Sequence, residues 1–307
     1  MVHGKVPGMT EEKTQKDQQK SYLYAIISIL LWSTVASAFK ISLKYVDFMQ
    51  LLLYSSGIST TVLFIILFIQ KKSLYLFTYS KRDYLMSILL GFMNPFLYYT
   101  VLFKAYSLLP AQEAQPLNYT WPLMLVLLSI PLLKQKIEMK SIFAIIISFT
   151  GVVIIGTGGN ILSMKFSNPF GVGLAVGSSV IWALFWIYNV KDKRDEAVKL
   201  FFNFLAGFVF TLILTVFYSK IIVPDIKGIL AVIYVGLFEM GLTFVLWLKA
   251  LKLSAKTDRI SNLVYFSPFI SLLFISFIVG EKILFSTIIG LVFIISGVII
   301  QQYKKKQ

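Results

Sequence analysis

Long runs of apolar residues, separated by short polar breaks, fill most of the chain. The runs fall at about 22–43, 48–70, 84–104, 113–133, 141–159, 170–190, 198–218, 228–251, 259–279 and 285–302. A helix of roughly 20 residues crosses the hydrocarbon core of a bilayer, so the pattern predicts ten transmembrane helices. Pro95, Pro116, Pro122 and Pro268 interrupt several runs. Such breaks are tolerated in a membrane where neighbouring helices or a water-filled cavity satisfy the freed backbone groups.

The composition leaves no room for a sizeable soluble domain. Hydrophobic residues make up 57% of the chain and charged residues 14%, so lipid must solvate the excess of apolar surface. The absence of cysteine excludes disulfides and thiol nucleophiles, and the single histidine, His3, lies in a polar tail. We therefore predict an all-α integral membrane protein without a metal site.

Basic residues lie at the ends of the apolar runs, and the net charge of +15 on the chain is interpreted as a topology signal. This distribution excludes nucleic acid as a partner, because nucleic-acid modules carry their charge on a folded polar surface. If the N-terminus lies in the cytoplasm, about three quarters of the 29 Lys and Arg residues face the cytoplasm. We expect a multi-pass protein of the plasma membrane with both termini cytoplasmic.

The two halves of the chain share a weak repeat. Gly91 and Lys104 match Gly236 and Lys249 at one spacing of about 145 residues, and Pro122 matches Pro268 after one inserted residue. Because each repeat has five helices, an odd number, the second copy enters the membrane with the opposite orientation. The loops that are rich in basic residues in one repeat correspondingly have few in the other. The predicted domains are a polar cytoplasmic tail at 1–21, five-helix repeats at 22–159 and 170–302, and a basic cytoplasmic tail at 303–307. Inverted repeats favour alternating access to a central cavity at the repeat interface.

Several motifs resemble the EamA group of the drug/metabolite transporter superfamily. They are Leu31-Trp32-Ser33-Thr34, Asn118-Tyr119-Thr120-Trp121-Pro122, Ile181-Trp182-Ala183 and Phe266-Ser267-Pro268. The resemblance covers about 20–302 and is closest to the aromatic amino-acid exporters. It implies ten helices around a cavity lined chiefly by helices 1, 3, 4, 6, 8 and 9. Glu239 departs from that branch, where a small or neutral residue is expected.

Glu239 is the first candidate functional residue on physical grounds. A charged group near the centre of a transmembrane helix costs roughly 2.5 to 3.5 kcal/mol on insertion scales and should face protein or water. Its carboxylate is interpreted as the partner of a substrate ammonium or as a proton carrier. The alternative is a protonated carboxyl that only joins two helices.

Polar and aromatic residues near the helix breaks complete the predicted binding site. Asn118, Tyr119 and Trp121 lie between two prolines in helix 4, where an amide and an indole suit amino-acid recognition. Trp32 and Trp182 occupy equivalent places in the two repeats, although tryptophan is also common as an interfacial anchor. The other candidates are Asn94, Tyr98, Tyr99, Trp186, Thr243, Trp247, Asn262 and Tyr265. Glu113 is expected to pair with Lys104.

Two glycine pairs predict helix packing surfaces. Gly173 and Gly177 form a small-xxx-small pair, and Gly290 and Gly297 are a heptad apart.

The predicted function is export of small metabolites across the plasma membrane, with amino acids, aromatic ones included, as the favoured substrates. An exporter of drugs or cationic amines by proton exchange is the alternative, and a channel or scaffold is less favoured. No Walker motif is present, and no cofactor is implied. An enzyme is disfavoured because the helices hold no nucleophile paired with a base. The expected partners are a small-molecule substrate and lipid, and the sequence does not indicate an oligomeric state.

Overall fold

The computed structural model describes residues 11–133, 139–163, 165–189, 192–254, 260 and 263–302. Within these residues the chain is helical and forms no β-strand. The α-helices are α1 (Glu11–Ser42), α2 (Phe48–Ile69), α3 (Lys81–Gly91), α4 (Tyr98–Leu108), α5 (Ala111–Asn118), α6 (Trp121–Leu133), α7 (Met139–Gly156), α8 (Pro169–Asn189), α9 (Glu196–Tyr218), α10 (Ile226–Val235), α11 (Leu242–Leu253), α12 (Ser267–Phe274) and α13 (Phe285–Gln302).

Six stretches of these helices are long and apolar enough to cross a membrane. They are Asp17–Ser42, Phe48–Ile69, Lys81–Leu108, Pro169–Asn189, Glu196–Tyr218 and Ile226–Leu253. Three shorter apolar helices accompany them in the described part of the chain, at Ile142–Gly156, Leu263–Val279 and Phe285–Ile300. The all-helical, membrane-embedded class predicted from the sequence is confirmed, while the number of ten crossings stays a prediction.

Side-chain caps explain where several helices begin. The Asp47 carboxylate accepts from Met49 N and Gln50 N at the start of α2, and Ser80 and Asp83 form a capping box at the start of α3. Each cap satisfies backbone N–H groups that have no partner within the helix. Helix α1 already includes Glu11, ahead of the predicted start at 22, because the polar stretch before the membrane is rich in good helix formers.

Three predicted helices are interrupted by π-helical turns or breaks within their length, and predicted helix 9 contains a 3₁₀ turn at Leu263–Phe266 and ends in a π-helical segment at Ile275–Val279. Predicted helix 3 has a π-helical segment at Phe92–Leu97, and predicted helix 8 has one at Gly236–Gly241. Predicted helix 4 divides into α5 and α6 around Tyr119 and Thr120. Pro95 and Pro116 remove backbone donors at two of these places. The breaks lie beside the cavity described below, where irregular backbone is tolerated.

Helix α7 packs along α13 at the edge of the bundle. A Cβ atom at Gly297 would lie 2.1 Å from Ser148 Oγ, and one at Gly290 would lie 2.4 Å from Ile155 Cγ1. The predicted packing surface at Gly290 and Gly297 is therefore confirmed. The packing surface predicted at Gly173 and Gly177 has no counterpart among the described residues, none of which places an atom within 4 Å of a Cβ at either glycine.

Candidate functional site

A cavity of about 740 Å³ lies among the helices. Its wall is formed by α1, α4, α5, α6, α8 and α11 together with the π-helical segment Gly236–Gly241 and the 3₁₀ turn Leu263–Phe266. These elements belong to the predicted helices that the resemblance places around a central cavity. The volume is within the usual range for a small-molecule site.

All five tryptophans of the chain line this cavity. The Trp32 ring centroid lies 5.4 Å from that of Trp247 and 5.9 Å from that of Phe244. The Trp182 ring continues the series, 6.0 Å from Phe244 and 4.7 Å from Tyr98. The contacts join α1, α11, α8 and α4 through one continuous aromatic surface, which is suited to an apolar, aromatic or cationic ligand.

Glu239 is the one charged side chain among the described residues that line the cavity. It lies in the π-helical segment between α10 and α11, and its Oε1 accepts a hydrogen bond from the Tyr99 hydroxyl at 3.0 Å. Tyr99 itself is fully buried and does not line the cavity. A carboxylate on an aromatic wall with no Lys or Arg on the same described surface favours a ligand that carries positive charge.

Asn118 is held from both sides. Its Oδ1 accepts from the Tyr98 hydroxyl at 3.2 Å, and its Nδ2 donates to Ser178 Oγ at 2.8 Å. The Ser178 hydroxyl donates its own hydrogen to the Ala175 carbonyl at 2.7 Å, so it can only accept from Asn118. This chain of bonds fixes the orientation of the amide at the cavity wall.

The structure brings ten of the predicted site residues to one cavity wall. They are Trp32, Tyr98, Asn118, Tyr119, Trp121, Trp182, Trp186, Glu239, Trp247 and Tyr265. Their role in binding a substrate stays a prediction.

Three other predicted site residues lie behind the wall. Tyr99 reaches Glu239 from outside the cavity, and the Thr243 hydroxyl donates to the Phe238 carbonyl within the π-helical segment. Asn94 is fully buried in the first π-helical segment, and none of the described residues bonds with its amide. Asn262 lies outside the described residues.

Sequence reasoning missed several polar and aromatic residues of the wall. Gln115 lines the cavity, and its Oε1 accepts from the Ser271 hydroxyl at 2.8 Å. Tyr106 lines it one further turn along α4 from Leu102. The signal for Gln115 was present, since it lies three residues before Asn118 and therefore on the same helix face.

Glu113 and Lys104 do not pair as predicted. The Glu113 carboxylate accepts from the Ser167 hydroxyl at 2.6 Å, and the Lys104 ammonium lies 5.0 Å from the centre of the Phe48 ring.

Comparison with known proteins places these features in a family. The model of the EamA-like transporter family matches residues 19–157 and 169–301. An uncharacterized transporter of Archaeoglobus fulgidus is 23% identical over 94% of this chain and 99% of its own length. An uncharacterized transporter of Clostridium kluyveri is 29% identical over 57% of this chain, and the match spans 58% of that relative. A crystal structure that shares 22% identity has the same fold, with a TM-score of 0.65 over 92% of this chain and 95% of its own.

Proposed function

Because the chain belongs to the EamA-like transporter family, we propose that it is a secondary transporter that exports a small ammonium-bearing metabolite through the aromatic cavity by alternating access. Amino acids, aromatic ones in particular, are the leading substrates. The observation that carries the proposal is the conjunction of all five tryptophans with the single carboxylate of Glu239 on one cavity wall.

The wall offers a partner for each part of an amino acid. The Glu239 carboxylate pairs with the ammonium group, and the neighbouring indole faces add cation–π attraction. An apolar or aromatic side chain fits between the rings of Trp32, Trp182 and Phe244. The amides of Gln115 and Asn118 are neutral hydrogen-bonding groups that can meet the substrate carboxylate.

A second candidate is export of cationic amines or drugs in exchange for protons. It is favoured by one observation, which is that none of the described wall residues is Lys or Arg to neutralise a substrate carboxylate. A molecule with an ammonium group and no carboxylate leaves no charge unpaired in such a site. Glu239 is then the group that exchanges its proton for the cation.

Alternating access rests on the proposed inverted repeat of 22–159 and 170–302. Paired contacts support it, because α1 packs against α11 and α12, while α8 packs against α4 and α6. In the same way, α2 of the first repeat packs against Gly236–Gly241 of the second, and α9 of the second repeat packs against Phe92–Leu97 of the first. The family model also matches the chain twice. Two similar units of opposite orientation can exchange conformations and thereby open the site to either side.

Topology mapping tests the repeat. We expect reporter fusions at 134–140 and at 249–259 to lie on the same, cytoplasmic face of the plasma membrane, together with both termini. Opposite faces for those two segments would exclude the inverted repeat.

A panel of substrates in proteoliposomes tests the transported class. The purified protein is supplied with each labelled amino acid, with phenylalanine amide and with phenethylamine, each with and without a pH gradient. Amino-acid transport inhibited by the amide supports the leading proposal. Transport of the amine alone, driven by the pH gradient, supports the second candidate. If no amino acid or amine moves or competes, both substrate proposals are wrong.

A further inference from the structure

We propose that Lys40 and Glu281 form a latch that closes the cavity at one end of the bundle and must release for the cavity to open there. The inference rests on the proposed transport by alternating access. The latched end is the one at which α1 and α4 finish and α5 begins, and we call it the Lys40 end. The opposite end, where α8 and α11 finish, is called the Leu251 end.

Lys40 holds the last turn of α4. Its Nζ donates to the Tyr106 carbonyl at 3.0 Å and to the Leu109 carbonyl at 2.9 Å. The last carbonyls of a helix have no intrahelical partner and carry partial negative charge, so an ammonium group is a favourable cap. The cap comes from another helix, and it ties α1 to the end of α4 beside the cavity residue Tyr106.

Glu281 holds the first turn of α5. One carboxylate oxygen accepts from Ala111 N at 2.9 Å and the other from Gln112 N at 3.1 Å. Pro110 precedes this helix and provides no side-chain cap. The carboxylate therefore replaces the missing cap and meets the positive end of the helix dipole. Glu281 lies between α12 and α13, so the bonds tie that segment to α5.

Lys40 and Glu281 thus bind the α4–α5 turn on either side of Pro110. Lys40 binds backbone acceptors just before Pro110, and Glu281 binds backbone donors just after it. Gln112 adds two hydrogen bonds between the same turn and the α12–α13 segment. Its side chain donates to the Lys282 carbonyl at 2.8 Å and accepts from Leu284 N at 2.8 Å. The α4–α5 turn is fastened to α1 on one side and to the α12–α13 segment on the other.

Burial along the cavity agrees with closure at this end. Phe39 and Tyr106 form the wall nearest the latch, where they are 2% and 3% exposed, and Leu109 beside them is 1% exposed. At the Leu251 end the wall residues Ile187 and Leu251 are only partly buried. The described cavity wall is therefore more deeply buried beside the α4–α5 turn than at the Leu251 end.

The latch is suited to repeated release. Its bonds join charged side chains to backbone groups at helix ends, which water can satisfy when the turn moves away. Lys40 and Glu281 hold the ends of two separate helices, so each side chain can release its own backbone contacts when the turn moves. Under the proposed topology this is the extracellular end, and the structure represents a state that is closed there.

Cysteine labelling tests the latch, since the chain contains no native cysteine. A single cysteine replaces Val35, a small wall residue of α1, and a membrane-impermeant maleimide is added to intact cells or to inside-out vesicles. In Lys40→Met or Glu281→Gln, we expect labelling of that cysteine from the Lys40 end to rise by roughly tenfold or more. Labelling from the Leu251 end should fall at the same time.

Two variants serve as matched controls. Lys104→Met removes a positive charge from the same end of α4 without touching the latch, and Lys40→Arg keeps two donors for the carbonyls. Both should retain the low labelling of the parent from the Lys40 end. Unchanged labelling in Lys40→Met and Glu281→Gln would overturn the latch. Faster labelling from both ends would also overturn it, because that result indicates loosening of the fold.

The labelling does not depend on transport, so the two proposals fail separately. If the latch variants change access as expected but no substrate moves in the proteoliposome panel, the latch stands and the substrate proposal fails. If transport is found and access does not change, the latch alone is wrong.

Discussion

The Tyr99 hydroxyl donates a hydrogen bond to the Glu239 carboxylate at 3.0 Å, across the boundary between the buried helix core and the cavity. Tyr99 belongs to α4, and Glu239 to the π-helical segment Gly236–Gly241. The bond uses one of two carboxylate oxygens, so the other can accept from a ligand. Tyr99 is thus placed to position the carboxylate, and Glu239 presents that carboxylate at the cavity wall.

Glu239→Gln should weaken substrate affinity by roughly 10- to 100-fold, because a neutral amide replaces the charged acceptor of the ammonium group. Equilibrium binding of the labelled substrate to purified protein measures the loss. Glu196→Gln is the control, because that carboxylate lies outside the cavity and its side chain is 53% exposed. Wild-type affinity, rate and pH dependence in Glu239→Gln would contradict a functional role for this carboxylate.

Tyr99→Phe should reduce affinity less, by roughly two- to tenfold, because it removes one hydrogen bond to Glu239 and keeps the aromatic ring. The same binding assay measures this change, and the exposed Tyr218→Phe variant is the control. In a Glu239→Gln background the Tyr99 substitution should have little further effect, since the two residues act through one contact. Full additivity of the two losses would argue against a positioning role.

Asn118→Ala should weaken affinity by roughly three- to tenfold, since it removes the one asparagine amide on the described wall. Ser178→Ala is the matched variant, because it breaks the bond to Asn118 Nδ2 without removing the amide. We expect Ser178→Ala to lower thermal stability slightly and to change affinity less. Asn118→Ala with unchanged affinity would assign the residue to helix packing alone.

Gly297→Ala should lower the free energy of unfolding by about 1–3 kcal/mol, because the new Cβ would meet Ser148 Oγ at 2.1 Å and the Ala144 carbonyl at 2.5 Å. Gly173→Ala is the matched control in a helix with open space at the Cβ position. Alanine there should stabilise by about 0.5–1 kcal/mol through its higher helix propensity. Thermal unfolding in detergent measures the melting temperatures of both variants. Equal melting temperatures for Gly297→Ala and Gly173→Ala would contradict the packing contact.

Asp192→Asn should lower the melting temperature at neutral pH, and the difference from wild type should shrink in acid. Arg194 Nη2 lies 2.6 Å from Asp192 Oδ2, in a loop outside the membrane spans. Burial tends to raise the pKa of Asp192, but the hydrogen bonds and charge of Arg194 lower it overall. Because the pKa of Asp192 is lower in the folded than in the unfolded protein, the ionised carboxylate stabilises the fold at pH values above its ordinary pKa of about 3.9. This stabilisation is lost as the pH falls through the pKa of the folded state. A melting difference that does not change between pH 7 and pH 3 would contradict this pairing.

Ten of the 21 residues that line the cavity were predicted, and the polar ones among them could be found because a membrane makes polar groups expensive. Glu239 and Asn118 stand out in apolar runs, and their cost in lipid indicates that they face protein or water. The sequence does not distinguish a tryptophan at the cavity wall from one at the membrane interface, because tryptophan is also common as an interfacial anchor. The placement of the tryptophans on one wall required the packed helices.

Asn94, Tyr99 and Thr243 were assigned to the cavity and lie behind it. All three are in or just after the π-helical segments. A π turn contains an extra residue relative to an α turn, so it rotates the residues that follow to a different face. Tyr98 and Trp247 also follow these segments and do line the cavity, so the extra residue misplaced some of the predicted side chains and left others on the wall.

The sequence by itself determined the helical membrane class and most of the polar residues of the site, because hydrophobic length and the cost of polar groups in lipid are local properties. The tertiary structure alone decided which side chains share the cavity and how its Lys40 end is closed. Lys40 and Glu281 bind backbone groups 66 to 170 positions away. No local pattern encodes such contacts, since they depend on where packing places the helix ends.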